Sequence, residues 1–171
     1  MMSQKIVKII VCGGADSGKT SLIQRHQHNH FEPAYRPSQQ VDMSLLTQGP
    51  FQMHLWDIPG SESASGRTPV FYEGAAAFLV VADVTKHLDS AADWITDIQK
   101  RSSAPVVLLL NKCDLKRGNA SKTLASIRDW AQDRHIAAWF EVSALENQGF
   151  RQAMQHVEEL IAEHAMGKSA E

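Results

Sequence analysis

Short apolar runs alternate with longer amphipathic segments along the whole chain. The apolar runs have the length of β-strands, and several are apolar at every position, which is typical of strands buried on both faces of a sheet. They read KIVKIIVC, VDMSLL, FQMHLW, GAAAFLVVADV, APVVLLLN and IAAWFEVS. The segments between them have helical character and read GKTSLIQRHQHNH, LDSAADWITDIQKR, NASKTLASIRDWAQDRH and ENQGFRQAMQHVEELIAEHA. This alternation predicts an α/β fold of three layers, with helices on both faces of a mostly parallel sheet.

Two local patterns predict how particular elements pack. The turn sequence TQGP separates the second apolar run from the third, which favours one antiparallel hairpin at the edge of a six-stranded, otherwise parallel sheet. In the last amphipathic segment, apolar residues recur at helical spacing and predict a stripe docked on the sheet. The stripe consists of Phe150, Met154, Val157, Leu160 and Ile161.

The composition favours one domain, residues 1–171, in the cytoplasm. With 171 residues, of which 43% are hydrophobic, the chain can bury a substantial core but is short for two domains. Its formal net charge of −2 offers no general basic field for nucleic acid, and no stretch reaches the roughly 20 apolar residues that would span a bilayer. The N-terminal run leads directly into a glycine-rich loop without a separate signal sequence, and two cysteines are too few for a disulfide framework.

The segment GGADSGKT, residues 13–20, follows the first apolar run and opens the first helical segment. Gly13, four further residues, Gly18, Lys19 and Thr20 form the pattern of a phosphate-binding P-loop. Small residues allow backbone N–H groups to surround phosphates, the lysine reaches the β- and γ-oxygens, and the threonine hydroxyl is a Mg²⁺ ligand. An ordinary glycine turn can match this pattern by chance, but the flanking strand and helix favour a P-loop.

A second motif, NKCD, directly follows the apolar run APVVLLL. The carboxyl end of such a strand lies at the edge where open α/β sheets bind ligands. The carboxylate of Asp114 can accept hydrogen bonds from the ring N–H and the exocyclic amine of guanine, which adenine does not offer in the same geometry. Asn111 and Lys112 would brace this loop and the base. A polar turn is the alternative, but a P-loop in the same chain favours a guanine site.

The motifs GGADSGKT, WDIPG, NKCD and EVSAL occur in the order and spacing of the Ras-superfamily small GTPases, which the chain resembles over nearly its whole length. WDIPG, VFYEGAAAFLVVADVT and WFEVSA are most similar to the Rab family, in particular to the Rab subgroup that carries WDIAG and WFETSA. The resemblance implies the P-loop NTPase fold and binding of GTP or GDP with Mg²⁺ as the cofactor. It also implies a nucleotide-dependent switch in membrane trafficking.

The resemblance implies roles for individual residues. Lys19 and Ser61 occupy the catalytic positions, and Mg²⁺ would be held by Thr20, Ser38 and Asp57. Serine at position 38 keeps the hydroxyl and the N–H of the threonine that the family has there. The implied nucleotide-binding residues are Asp16, Ser17, Gly18, Lys19, Thr20, Ser21, Phe31, Tyr35, Ser38, Gly60, Asn111, Lys112, Asp114, Ser143, Ala144 and Leu145.

Within this set, four residues would enclose the guanine base. Phe31 would cover the edge of the base, and Ser143 and the N–H of Ala144 would close the pocket. Leu145 replaces the lysine that is common in the family, and its aliphatic side chain can still pack on the base.

Two residues depart from the family pattern. Ser61 stands where the family has the glutamine that orients the attacking water, and this loss should slow hydrolysis by roughly 10- to 100-fold. Asp16 stands where a glycine is common, close to the γ-phosphate. A carboxylate about 5 Å from a phosphate oxygen is repelled by up to about 3 kcal/mol, and by less if it turns to solvent or pairs with a cation. Both changes predict a switch that loads GTP and hydrolyses it slowly. The alternative is compensation elsewhere in the chain, or a glutamine supplied by an activating protein.

The resemblance implies protein partners at the switch regions, residues 31–43 and 60–73. Met43, Trp56 and Phe71 occupy the positions of an apolar triad that Rab proteins present to effectors, although core packing is an equal alternative for Trp56. The chain would be a monomer without nucleic acid or direct membrane insertion, and membrane contact would need a partner or a lipidated tail that this sequence lacks. An alternative to the switch is a hydrolysis-deficient module, held in its GTP form, that docks or sequesters trafficking effectors.

His26 and His30 are separated by the length of one helical turn and could bind a metal together. No cluster of carboxylates or cysteines accompanies them in the sequence. A solvated end of the first helix is therefore the favoured interpretation.

Overall fold

The structure is a computed structural model that describes residues 4–34, 36–60, 69–115 and 124–168. The strands are β1 Lys5–Gly13, β2 Asp42–Gln48, β3 Phe51–Asp57, β4 Ala75–Asp83, β5 Val106–Asn111 and β6 Ala138–Glu141. The helices are α1 Lys19–His28, α2 Pro69–Tyr72, α3 Asp89–Arg101, α4 Leu124–Asp133 and α5 Phe150–Lys168, and a 3₁₀ turn spans Cys113–Leu115. The six predicted strands and four predicted helices are present, and α2 is the addition, because four residues are too few to produce a helical repeat. None of the described helices is long and apolar enough to cross a membrane.

The strands form one sheet in the order β2-β3-β1-β4-β5-β6. All neighbouring pairs are parallel except β2 and β3, which confirms the predicted antiparallel hairpin at the edge. The carboxyl ends of the parallel strands therefore lie at one edge of the sheet, where ligands bind in such folds. This edge collects the ends of β1, β3, β4 and β5, which are Gly13, Asp57, Asp83 and Asn111.

The core has one layer on each face of the sheet, which explains why several runs are apolar at every position. In β1, Ile9 belongs to the layer that contains α1 and α5, whereas Ile10 belongs to the layer that contains α3. Both side chains are fully buried. The predicted stripe on α5 lies in the first layer, where Leu160 is partly buried and the others are buried. The helices thus fix the sheet from both sides and leave its carboxyl edge to the connecting loops.

Replacing Met154 with alanine should lower the free energy of unfolding by about 2 to 5 kcal/mol, because this fully buried side chain leaves a cavity when it is removed. Urea denaturation at fixed Mg²⁺ and GDP concentrations measures the loss. Gln155→Ala, at an exposed position of the same helix, is the matched control and should cost less than about 0.5 kcal/mol. Equal losses in the two variants would contradict the docking of this face of α5 on the sheet.

Candidate nucleotide-binding site

Both glycines of the P-loop pattern occupy positions that require glycine. Gly13 ends β1 with a φ of 143°, and a Cβ atom at this position would overlap the backbone oxygen of Val81. Gly18 precedes α1 with a φ of 91°, and a Cβ atom there would overlap the side-chain amide of Asn111. The loop therefore turns closely from the sheet into the N-terminus of α1, a place that favours anions.

Lys19, the first residue of α1, places a buried ammonium group in this loop. Its side chain is 6% exposed, and Nζ donates hydrogen bonds to the backbone oxygens of Gly13 at 3.2 Å and Gly14 at 3.0 Å. Burial lowers the pKa of Lys19, and the charge of Asp57 opposes this shift. A buried cation at a helix N-terminus is suited to an anionic group such as a phosphate.

The three residues implied as Mg²⁺ ligands come together. The hydroxyl of Thr20 donates a hydrogen bond to Oδ2 of Asp57, and it lies 3.0 Å from the hydroxyl oxygen of Ser38. Asp57 is 5% exposed, and its Oδ1 atom has no hydrogen-bond partner among the described residues. Burial raises the pKa of Asp57, while the hydrogen bond from Thr20 and the charge of Lys19 oppose this shift. A buried carboxylate oxygen without a partner needs a cation or a donor.

Mg²⁺ fits this donor set. The donors are two hydroxyls and one carboxylate, and Mg²⁺ prefers oxygen ligands and is commonly bound by few carboxylates together with phosphate oxygens. The described residues contain no group of three or more histidine, cysteine and acidic side chains that could hold a metal ion.

A cavity of about 260 Å³ lies at the end of β5. Its lining includes Phe31, Asp114, Ala144 and Leu145, as expected for a guanine pocket. The hydroxyl of Ser143 donates a hydrogen bond to Oδ1 of Asp114 at 2.6 Å. This bond fixes one oxygen of the carboxylate and orients the side chain within the loop.

Hydrogen bonds tie the NKCD loop to the P-loop. Asn111 is 2% exposed, and its Nδ2 donates to the backbone oxygen of Ser17 at 2.9 Å. The Oδ1 atom of Asn111 accepts from the N–H of Ala144 at 3.3 Å. Lys112 Nζ donates to the backbone oxygen of Asp16 at 2.7 Å. Asn111 and Lys112 therefore join the two loops, and their role toward the base stays a prediction.

A larger cavity, of about 880 Å³, runs along the P-loop. Several of the remaining predicted residues lie around it. Its lining includes Ser21, Ser38 and Gly60. Gly60 lies so close to Ala15 that a Cβ atom would overlap the backbone of Ala15. Tyr35 and Ser61 lie outside the described residues, so their predicted roles remain predictions.

Asp16 is paired with cations, which is the case in which a weaker repulsion of phosphate is expected. Its carboxylate forms ion pairs with Lys86 at 3.5 Å and with Lys112 at 3.4 Å. The P-loop atoms nearest to a Cβ at Gly60 belong to Gly14 and Ala15, not to Asp16. Because two cations are already paired with Asp16, its repulsion of a phosphate is weaker than for an isolated charge.

The three residues of the implied effector-binding triad, Met43, Trp56 and Phe71, are adjacent. Met43 of β2 pairs with Trp56 of β3 and is 49% exposed. The rings of Trp56 and Phe71 are 6.4 Å apart, and both side chains are partly buried against the α3 layer of the core. Lys8 Nζ lies 4.6 Å from the centroid of the Trp56 ring. Trp56 therefore contributes to the core, as the core-packing interpretation expects, and is only partly buried. Its role toward effectors stays a prediction.

The histidines do not form a pair on one helix. α1 ends at His28, so His30 lies beyond the helix, where it is exposed. The ring of His26 lies 5.1 Å from the ring of Phe150 on α5, and burial lowers the pKa of His26. His30 has the solvated position that was expected, whereas His26 packs against a neighbouring helix.

Asp83 and Lys86 belong to the edge of the site, although sequence reasoning does not identify them. Asp83 ends the buried strand β4, and the same logic that identifies Asn111 at the end of β5 applies to it. Lys86 stands in a polar loop and has no signal in the sequence. Its place in the site depends on the ion pair with Asp16.

Comparison with known proteins agrees with this geometry. The model of the Ras family matches residues 8–163. Ras-related protein Rab-32A of Dictyostelium discoideum is 33% identical over 165 residues, which cover 88% of this chain and 75% of the relative. Ras-related protein Rab-32 of Mus musculus is 32% identical over 173 residues, covering 93% and 77%. Ras-related protein Rab-7L1 of Homo sapiens is 30% identical over 179 residues, covering 97% and 85%.

Proposed function

This chain belongs to the Ras family as a Rab-like small GTPase, and from that premise we propose that it binds GTP or GDP with Mg²⁺ and acts as a nucleotide-dependent switch in membrane trafficking, with slow intrinsic hydrolysis. The observation that carries the proposal is the pair of hydrogen bonds from the NKCD loop to the P-loop, donated by Asn111 and Lys112. These bonds hold a base pocket and a phosphate site at one fixed separation, as a nucleotide requires.

Guanine is selected at the base pocket by Asp114. Its carboxylate accepts from the two neighbouring donors of guanine, and adenine would leave this charged group without those donors, which is strongly unfavourable. Ser143 supports this selection because its hydroxyl fixes the orientation of the carboxylate. Leu145 is 49% exposed and offers an apolar surface at the rim of the pocket.

The phosphates are bound at the N-terminus of α1. Lys19 exchanges its bonds to backbone oxygens for bonds to the β- and γ-phosphate oxygens, and the backbone N–H groups of the loop provide further donors. Mg²⁺ held by Thr20, Ser38 and Asp57 would neutralise part of the phosphate charge. In this proposal the Gly60 N–H contacts the γ-phosphate, so that Gly60 distinguishes GTP from GDP.

Slow hydrolysis follows from the side chain at position 61. Phosphoryl transfer gains most of its rate from positioning and charge stabilisation, and the short serine side chain cannot reach a water in the way that glutamine does. The protein therefore spends a long time in its GTP form. This consequence also favours the second candidate function, a GTP-locked module that docks or sequesters trafficking effectors.

Effectors and regulators bind at the switch surface. Met43, Trp56 and Phe71 form an apolar cluster whose two aromatic residues also pack on the core. Partly exposed aromatic side chains anchored in this way are typical of interface centres. The protein acts as a monomer in this proposal, and contact with a membrane is mediated by a partner or by a lipid anchor.

Removal of Mg²⁺ tests the proposed site. A chelator should accelerate the release of fluorescently labelled GDP by at least about tenfold, because the Asp57 charge and the phosphates then face each other without a cation. Asp57→Asn should release GDP quickly in Mg²⁺ and respond little to the chelator. Release rates of the unmodified protein that are equal with and without the chelator would contradict the assignment of the metal ligands.

A further inference from the structure

Four charged side chains form a closed ring beside the nucleotide site. Asp16 pairs with Lys86 at 3.5 Å and with Lys112 at 3.4 Å. Asp83 pairs with the same two lysines, with Lys112 at 2.9 Å and with Lys86 at 4.0 Å. The charges alternate in sign around the ring, and their formal sum is zero.

The ring joins three separate segments of the chain. Asp16 lies in the P-loop, Lys112 in the NKCD loop, and Asp83 and Lys86 at the connection between β4 and α3. Asp83 is fixed within it, because its Oδ1 accepts hydrogen bonds from the N–H and the hydroxyl of Thr85 at 2.9 and 2.6 Å. Burial of Asp83 opposes its ionisation, but the hydrogen bonds from Thr85 and Lys112 outweigh burial and hold its pKa below the ordinary value. The carboxylate at the base of the ring is therefore ionised and firmly positioned.

The backbone at Asp16 also points to a role for its side chain. Asp16 has a φ of 60°, in the left-handed region that glycine adopts without penalty and that aspartate adopts at a smaller cost than most residues. Glycine would therefore be the easier residue at this position. The two ion pairs of the Asp16 carboxylate are contacts that glycine could not make.

We propose that Asp16 and Lys86 are positioning residues that slow nucleotide release by holding the P-loop and the NKCD loop together through Lys112. A nucleotide bound by both loops can leave only when at least one of them moves away. The ring opposes this movement, and Lys86 keeps the region electrically neutral beside the phosphates. The proposal rests on the proposed function, since it requires a nucleotide that spans the two loops.

The opposite role of Asp16 makes a different prediction. If its carboxylate acted mainly by repelling phosphate, Asp16→Gly would slow nucleotide release. If the carboxylate acts mainly by holding the ring together, the same substitution would accelerate release. The sign of the change therefore separates the two roles.

The experiment measures release of fluorescently labelled GDP from the full chain in Mg²⁺, at low salt and at about 0.5 M salt. Lys86→Ala should accelerate release about three- to tenfold at low salt, as expected for the loss of two partly exposed ion pairs. The difference should shrink at high salt, because exposed charges are screened. Lys86→Arg should keep release slow, because it preserves the charge. If the lysine stem had a merely structural role, Lys86→Ala would accelerate release equally at both salt concentrations.

A double-mutant cycle and a charge control complete the test. In the Asp16→Gly background, Lys86→Ala should accelerate release by much less than in the unmodified protein. The reason is that the partner of Lys86 in the P-loop, the Asp16 carboxylate, is already gone. Lys100→Ala, in the last turn of α3, changes the net charge equally and should leave release unchanged.

Unchanged release in Lys86→Ala, or slower release in Asp16→Gly, would overturn the proposal while leaving guanine nucleotide binding intact. Failure of the unmodified protein to take up labelled GDP would overturn the proposed function and this proposal with it. The two failures are therefore distinguishable.

Discussion

The Asp114→Asn variant is expected to lose roughly 10²- to 10⁴-fold in affinity for GDP and GTP, since at least one hydrogen bond to a charged group is lost and two donors are brought face to face. The amide oxygen of asparagine still accepts the ring N–H of guanine, but its NH₂ group faces the exocyclic amine. Xanthine has a carbonyl at that position, so the variant should prefer xanthine nucleotides. Equilibrium titration with labelled GDP and with labelled xanthosine diphosphate measures the two affinities and so the change in preference.

The control for this prediction is Glu146→Gln, an acid-to-amide change at an exposed position near the same pocket. It should leave both affinities unchanged within about twofold. Ser143 can donate its hydrogen bond to an amide oxygen as well as to a carboxylate, so the loop should keep its conformation. Unchanged guanine preference in Asp114→Asn would mean that another group reads the base.

Ser61→Gln is expected to accelerate single-turnover hydrolysis of GTP by roughly 10- to 100-fold, because the longer amide side chain can orient the attacking water. Rapid mixing of the GTP-loaded protein with Mg²⁺, followed by separation of GTP and GDP, gives the rate. Ser61→Ala is the matched control and should hydrolyse GTP at the rate of the unmodified protein within about threefold. A Ser61→Gln rate equal to that of the control would mean that another group already positions the water.

The same variant separates the two candidate functions. For a slow switch that depends on an activating protein, Ser61→Gln changes little when the activator is present. For a GTP-locked docking module, the substitution produces a large gain under all conditions. The Asp16–Lys86 ion pair bears on both, because its proposed role is to lengthen the time for which a bound nucleotide stays in the site.

The fold and the composition of the site follow from patterns that are local in the sequence. A P-loop is one contiguous segment, and the strand and helix that flank Gly13 and Lys19 are short-range signals. The position of Asn111 at the end of a buried strand places the base pocket at the same edge, because parallel strands end together. The convergence of Thr20, Ser38 and Asp57 is implied by the resemblance to the small GTPases, because Ser38 lies in the connection between α1 and β2 and no strand end places it.

Contacts between distant segments are the part that sequence patterns do not reveal. Asp16 and Lys86 are separated by many residues, and only the order of strands brings their loops together. The packing of His26 on Phe150 depends likewise on the rotation of α1 against α5. Trp56 is ambiguous for a physical reason, because its ring packs on the core and also carries the ammonium group of Lys8 over one face.

The most direct test of this account is to denature the purified protein, identify the released nucleotide by chromatography, and then follow hydrolysis after loading fresh protein with GTP. The account predicts a guanine nucleotide, with GTP retained and decaying very slowly in a single turnover. Bound GDP with steady turnover would contradict slow hydrolysis and the role assigned to Ser61. Absence of any guanine nucleotide, with no uptake on loading, would contradict the binding site itself.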